Sequence, residues 1–176
     1  MVDSDKNVKL LKKINELNNN LSVAEIRKLN CKIDEIYKGR ILSFIALLSL
    51  FMILSPFIKS DMLFFTSLGL FAIVVLGINL FFNKIQNETI KEKYDLIEKN
   101  KTIGQKMKEK VKKLREMNFF NTENKAVKKL KKELKRTNYW DDEFFKINEV
   151  DQIDFNFKKL IKSIKNSSKS TINNIQ

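Results

Sequence analysis

The side chains that could perform chemistry are few in this chain of 176 residues. Histidine is absent and Cys31 is the only cysteine, so one chain can form neither a zinc site, nor a disulfide, nor a Cys–His dyad. Cys31 lies in an amphipathic helical pattern, which favours a small packing residue over a reactive thiol. Asp141 and Asp142 suggest acid–base catalysis, but adjacent helix positions point in different directions. We therefore predict no enzyme and no catalytic, metal-binding or cofactor-binding site.

Two long uncharged runs must organise the rest of the chain. Residues 41–58 and 62–82 contain no charged side chain, and only residues 59–61 separate them. As helices they would be about 27 Å and about 31 Å long, enough to cross a hydrocarbon core of about 30 Å. Core helices of a soluble bundle are the alternative, but such helices usually keep a polar stripe. We predict a transmembrane helical hairpin over residues 41–82.

The charges on either side of the hairpin predict its orientation. Residues 1–40 carry nine Lys/Arg against six Asp/Glu, and residues 83–176 carry 24 against 14. The turn contains one Lys and one Asp and is neutral. By the positive-inside rule both termini should lie in the cytoplasm, with Lys38 and Arg40 as anchors at that interface.

The flanking segments predict helices only. One Pro and four Gly are too few turn residues for a fold rich in sheet and loops. The predicted fold is an all-α membrane protein with cytoplasmic N-terminal helices over residues 1–40 and a cytoplasmic basic helical region over residues 83–165. Within that region, residues 119–165 should form a small helical knob. Residues 166–176 are polar and predict a disordered tail.

Two apolar seams predict that the hairpin continues as a paired stalk. The seam before the hairpin repeats at intervals of three and four residues, as in a coiled coil. Helices joined by a short turn should stay neighbours beyond the membrane, so we expect this seam to pair with the one after the hairpin. The predicted stalk residues are Ile26, Leu29, Ile33 and Ile36 before the hairpin and Ile90, Tyr94 and Ile97 after it.

One narrow face of the second apolar run consists mostly of small residues. On a helical wheel it spans about 80° and comprises Thr66, Gly69, Ile73 and Gly77. Small residues let membrane helices approach closely. We interpret this helix-packing face as the contact with the first run, and a contact between copies in a homo-oligomer is the alternative. Asn79 is the one strongly polar side chain in either run and lies near its cytoplasmic end. It could form a hydrogen bond across the helices or simply lie at the membrane interface.

A strongly basic helix is predicted over residues 125–136, with seven basic residues and one acid. Its lysines could form a solvated face or contact an anionic leaflet, with Phe119 and Phe120 dipping into the lipid. The predicted residues for that contact are Lys125, Lys128, Lys129, Lys132 and Arg136. Nucleic acid is the least favoured partner, because 30 of the 34 basic residues are lysine and no base-reading motif is present.

The order of helix, apolar hairpin and cytoplasmic helices resembles the layout of SLATT-type two-helix membrane effectors of bacterial conflict systems. It is also similar to chlamydial inclusion-membrane proteins, which carry a bilobed hydrophobic stretch with both ends on one side. The first resemblance implies an oligomeric pore that depolarises a membrane, and the second implies a host-facing scaffold. From the residues we favour an anchor or scaffold that presents its basic helices to an unknown protein partner or to anionic lipid. A pore is the alternative, although neither run has a continuous polar stripe to line a channel.

Overall fold

The computed structural model describes residues 2–58, 60–140 and 150–173. Within these ranges the regular structure is entirely helical, which confirms the all-α prediction for the described part of the chain. The α-helices are α1 (Val2–Asn19), α2 (Val23–Leu54), α3 (Asp61–Glu116), α4 (Lys125–Arg136) and α5 (Phe157–Asn173).

The chain divides into two compact units. The hairpin unit is Ala24–Asp95, and the head unit combines Met1–Val23 with Leu96–Gln176. The head unit is therefore discontinuous in sequence, because the whole hairpin unit is inserted between its two parts.

Helix α2 covers most of the first apolar run and ends at Leu54, and α3 covers the whole of the second run. They contain 32 and 56 residues, which correspond to lengths of about 48 Å and about 84 Å. Because a single glycine costs a helix only about 1 kcal/mol, the sequence predicts that the second helix continues through Gly39 into the first run, with a small bend at Gly39 as the alternative. Gly39 lies inside α2, so the continuation is confirmed. The reversal begins with a 3-10 turn over Ser55–Phe57. Pro56 suits this position, since a residue at the start of a helical turn has no backbone hydrogen bond to lose.

Aromatic side chains form the contact between α2 and α3. The ring of Phe51 lies 4.8 Å from that of Phe71 and 6.3 Å from that of Phe64, centroid to centroid. At Gly39 an added Cβ would lie 3.5 Å from the Phe82 ring, so this ring lies close to the α2 backbone. None of the described residues from 41 to 82 is buried, since two helices alone cannot cover each other. Both helices are long and apolar enough to cross a membrane.

The head unit encloses a hydrophobic core of its own. It draws on four helices, and its fully buried members include Leu11 and Ile14 from α1, Met107 and Leu114 from α3, Leu130 and Leu134 from α4, and Leu160 from α5. The predicted knob over residues 119–165 is thus only part of this unit. Helix α1 completes it, because the thin apolar stripes of α4 and α5 could not enclose a core by themselves.

Asn18 at the end of α1 joins the two parts of the head unit. Its side chain is 4% exposed; Nδ2 donates to the carbonyl oxygen of Ile153 at 3.0 Å, and Oδ1 accepts from the Ile153 N–H at 2.7 Å. Gln152 Nε2 donates to the Asn18 carbonyl oxygen at 3.0 Å. The Asn18 amide therefore satisfies both backbone groups of a buried residue that has no helix or sheet partner. The sequence predicts that the three asparagines at residues 18–20 interrupt the first helix, and α1 does end there, at Asn19.

The turn between α3 and α4 places two phenylalanines in the core. Asn118 adopts a left-handed conformation with φ 54°, which asparagine tolerates better than most residues. Phe119 and Phe120 follow at 4% and 5% exposure. The interpretation that these rings dip into lipid is therefore wrong, because both rings are buried in the hydrophobic core of the head unit.

Trp140 covers this turn from the outside. Its ring centroid lies 4.6 Å from that of Phe120, and the Arg115 guanidinium lies 4.2 Å from the ring. Arg115 also donates a hydrogen bond to the Trp140 carbonyl oxygen. Together these contacts hold the end of α3 against the segment that follows α4. The sequence also predicts a helix with acidic residues in its first turn, beginning at Asp141, with Phe144 and Ile147 packing inward. This prediction lies outside the described residues.

Tyr139, which directly precedes Trp140, is 1% exposed. Its hydroxyl donates to the Asp151 carbonyl oxygen at 3.0 Å. Burial, with a contribution from the Asp151 carboxylate, raises the pKa of the Tyr139 phenol far above its ordinary value. The phenol therefore remains a neutral hydrogen-bond donor throughout the physiological range.

Helix α5 is longer than the sequence predicts. It continues to Asn173, whereas the prediction places a disordered tail from residue 166. Hydroxyl groups support the extension, because Ser163 donates to the Leu160 carbonyl oxygen at 2.8 Å and Ser167 to that of Ser163 at 2.9 Å. These side chains find acceptors within the helix and do not end it.

Candidate functional site

The predicted stalk residues differ in how far they are covered. Ile26 and Leu29 are buried, and Ile33, Ile36, Ile90 and Ile97 are partly buried. Tyr94 is 65% exposed, whereas Thr89 is 3% exposed. Thr89 can occupy a covered position because its hydroxyl donates to the Ile85 carbonyl oxygen of its own helix at 2.9 Å. The prediction that Tyr94 lies on the covered face of α3 is therefore wrong. It relied on the apolar ring of Tyr94, and Thr89 is covered instead. Pairing of the other stalk residues stays a prediction.

The small-residue face of α3 does not contact α2. A Cβ added at Gly69 or Gly77 would meet no atom within 4 Å, and Ile73 is 66% exposed. Thr66 is also exposed and donates only to the Leu63 carbonyl oxygen of its own helix. The interpretation of this face as the intramolecular contact is wrong. Phenylalanine rings take that place, because they bury far more apolar area than a glycine face can.

Asn79 and Arg40 meet where the apolar runs end. Arg40 Nη2 donates to Asn79 Oδ1 at 2.5 Å, and Nη1 donates to Asn83 Oδ1 at 3.0 Å. Of the two alternatives for Asn79, the hydrogen bond across the helices is thus present; Asn79 is the acceptor, and the donor is the predicted anchor Arg40. Asn83, one turn further along α3, is a member of this cluster that the sequence analysis missed.

Helix α4 separates its charged and apolar residues completely. The apolar stripe of Val127, Leu130 and Leu134 is at most 1% exposed. The predicted contact residues are all exposed: Lys125, Lys128, Lys129, Lys132 and Arg136. Asn124 begins the helix, since its Oδ1 accepts from the Ala126 N–H at 2.9 Å. Glu133 is the only acid on α4, and it pairs with Arg136 at 3.1 Å. We call the five exposed residues the α4 basic face.

A second basic surface lies between α1 and the end of α3. It surrounds a groove of ≈ 460 Å³ in the head unit, lined by Lys6, Lys9, Lys13, Lys110 and Lys113 together with Glu116 and two apolar residues. The three lysines from α1 and the two from α3 are about 100 positions apart in the sequence, so no local motif contains both groups. The spacing of Lys6, Lys9 and Lys13 along one helical face was the only signal available.

Cys31 is exposed, contrary to its prediction as a packing residue. It lies two residues from Leu29, which is buried, and two residues from Ile33, which is partly buried, on a different face of α2. In the part of the chain that the structure describes, no three His, Cys, Asp or Glu side chains are placed to hold a metal ion.

Comparison of the chain with protein-family models, with curated proteins and with solved structures finds no match.

Proposed function

We propose that this chain is a non-enzymatic integral membrane protein, an anchor or scaffold that presents a basic helical unit on the cytoplasmic face. The contrast between its two units carries the proposal. The head unit has a closed core, whereas the apolar runs of α2 and α3 expose large side chains on every side that the partner helix leaves open. A surface this apolar is unfavourable in water and suits a bilayer.

The charge distribution supports one orientation in the bilayer. Both segments that flank the apolar runs are basic, and the turn between the runs is neutral. The positive-inside rule then places both termini in the cytoplasm. The Arg40–Asn79–Asn83 cluster supports the same orientation, since an arginine at the end of a span suits the cytoplasmic interface.

The α4 basic face is the surface we propose for a protein partner or anionic lipid. Its apolar stripe is already used in the core, so α4 has no apolar face left to insert into lipid. Any contact must therefore be made by the lysines and the arginine alone. Such a contact is electrostatic, and salt should weaken it strongly.

The full chain in zwitterionic nanodiscs should bind added vesicles that contain phosphatidylserine more tightly than vesicles of phosphatidylcholine. The triple variant Lys128→Glu, Lys129→Glu, Lys132→Glu should lower this affinity about a hundredfold, since each lysine near an anionic surface contributes about 1 kcal/mol. Flotation of the complex at rising salt measures the effect.

Matched lysines on α5 provide the control. Lys158, Lys159 and Lys162 are also exposed, and changing all three to Glu alters the net charge equally. Equal loss in both triple variants would mean that overall charge, and not the α4 basic face, attracts the vesicles. Equal binding of the wild type to both lipids would exclude the lipid contact and leave a protein partner.

An oligomeric pore remains the second candidate, and the free small-residue face favours it. Because Gly69 and Gly77 have open space around them in one chain, Gly69→Leu with Gly77→Leu should leave the helix content and monomer unchanged. For an anchor we expect a monomer in detergent and no ion leak from liposomes, before and after the change. A discrete wild-type oligomer that conducts ions, and loses both properties in this variant, would establish the pore instead.

A further inference from the structure

A groove opens between α2 and α3 at the end of the apolar runs where Arg40 lies. It has a volume of ≈ 350 Å³, and its lining changes in character along α2. Tyr37 and Arg40 come first, and apolar side chains, among them Phe44, Ile45 and Val75, follow. One end of the groove is therefore cationic and the rest is apolar.

Two asparagines hold the Arg40 guanidinium at the cationic end. Asn79 and Asn83 lie one turn apart on α3, and each amide oxygen accepts one guanidinium hydrogen bond from across the hairpin unit. A long arginine side chain normally samples many rotamers. Here it is ordered before any ligand arrives, which lowers the entropic cost of binding one.

The same geometry leaves Arg40 with unused binding capacity. A guanidinium has five N–H donors, and the two asparagines accept two of them. Among the described residues no carboxylate forms an ion pair with Arg40, so no acidic side chain neutralises its charge by direct contact. A planar guanidinium with free donors suits the oxygens of a phosphate group.

We infer that this groove binds one anionic glycerophospholipid, with its phosphate on Arg40 and one acyl chain along the apolar lining. The inference rests on the proposed insertion into a bilayer, which would bring lipid to the groove. Tyr37, 58% exposed, lines the same groove as Arg40 and adds a hydroxyl group to its polar residues. Residues 41–47 of α2 extend over about 10 Å, which fits the first part of an acyl chain.

Charge complementarity selects an anionic lipid over a zwitterionic one. The choline of a zwitterionic lipid supplies its own cation next to the phosphate and would repel the guanidinium. An anionic headgroup has no such cation, so its phosphate gains the full charge-assisted interaction.

Native mass spectrometry of the full chain in detergent tests the inference. With phosphatidylglycerol and phosphatidylcholine of identical acyl chains, the wild type should retain one phosphatidylglycerol with about a tenfold preference. Arg40→Gln should abolish this preference. Arg40→Lys keeps the charge but loses the planar fork, and should lower the preference severalfold.

Lys38→Gln is the matched control, because Lys38 is exposed two residues away on α2 and the change in charge is the same. It should retain the wild-type preference. Equal losses in Lys38→Gln and Arg40→Gln would overturn the inference. Retention of inorganic phosphate by the wild type, with no retained phosphatidylglycerol, would also overturn the inference. A lipid-free dimer that Arg40→Gln dissociates would overturn it as well.

Extraction of the same variants from the membranes in which they are produced separates failure of this inference from failure of the proposed function. Alkaline carbonate should not extract the wild type or Arg40→Gln from membranes. Resistance to extraction without any lipid preference would refute the lipid site and keep the membrane anchor. Complete extraction of the wild type would refute the anchor itself.

Discussion

A membrane-impermeant maleimide should leave Cys31 unlabelled in intact cells and label it fully once the membrane is permeabilised. The reason is topological, because Cys31 precedes the first apolar run and belongs to the basic flank proposed to face the cytoplasm. Since Cys31 is exposed, its own fold does not block the reagent. The labelled fraction of Cys31 should rise from almost none in intact cells to almost all after permeabilisation. A gel shift with a maleimide-linked polymer measures this fraction.

A cysteine in the turn provides the reciprocal test. In a Cys31→Ser background, Ser60→Cys should react in intact cells without permeabilisation, because Ser60 is exposed between the two apolar runs. The reversed pattern would invert the proposed orientation. Equal labelling of both positions in intact cells would contradict a hairpin that crosses the membrane twice.

Leu130→Asp should unfold the head unit while the helices of the hairpin unit persist. Leu130 is fully buried in the core, and an unpaired carboxylate there should cost about 4 kcal/mol or more. That is a large part of the stability of a small domain, which is about 5–15 kcal/mol. Trp140, the only tryptophan, lies in the head unit, so its fluorescence during urea unfolding reports on this unit alone.

Lys129→Asp is the control for this prediction. It introduces the same carboxylate one residue away on the exposed side of α4 and should change the unfolding free energy by only about 0.5 kcal/mol. Similar urea midpoints for the two variants would mean that Leu130 is not in a packed core. A loss of far-ultraviolet helix signal beyond that of the head unit would show that the two units unfold together.

The sequence predicts the apolar helices well because their signal is local. Long uncharged runs, the short turn with Pro56 and the N-terminal helix boundary at Asn18–Asn20 all depend on residues close in the chain. The basic face of α4 is also local, since a period of 3.6 residues separates its lysines from Val127, Leu130 and Leu134.

The predictions that failed required knowledge of what each face meets. Two adjacent phenylalanines, Phe119 and Phe120, suggest insertion into lipid. Only the folded structure shows that they pack in a core with residues of α1 and α4. Glycines at positions 69 and 77 suggest close packing, but the rings of Phe51 and Phe71 compete for the same contact. The sequence around Asn18 indicates the end of a helix. Its hydrogen bond to Ile153 joins residues 135 positions apart, so no local sequence pattern predicts it.

The insertion of the hairpin unit inside the head unit determines the order of events during synthesis. Leu11 and Ile14 leave the ribosome first, but Leu160 of the same core follows about 150 residues later. At about 5–20 residues per second, α1 waits roughly 7–30 s for its partner. Both apolar runs emerge during that interval and are available for membrane insertion. A chain that terminates before α5 would therefore carry a complete hairpin but a head that cannot close.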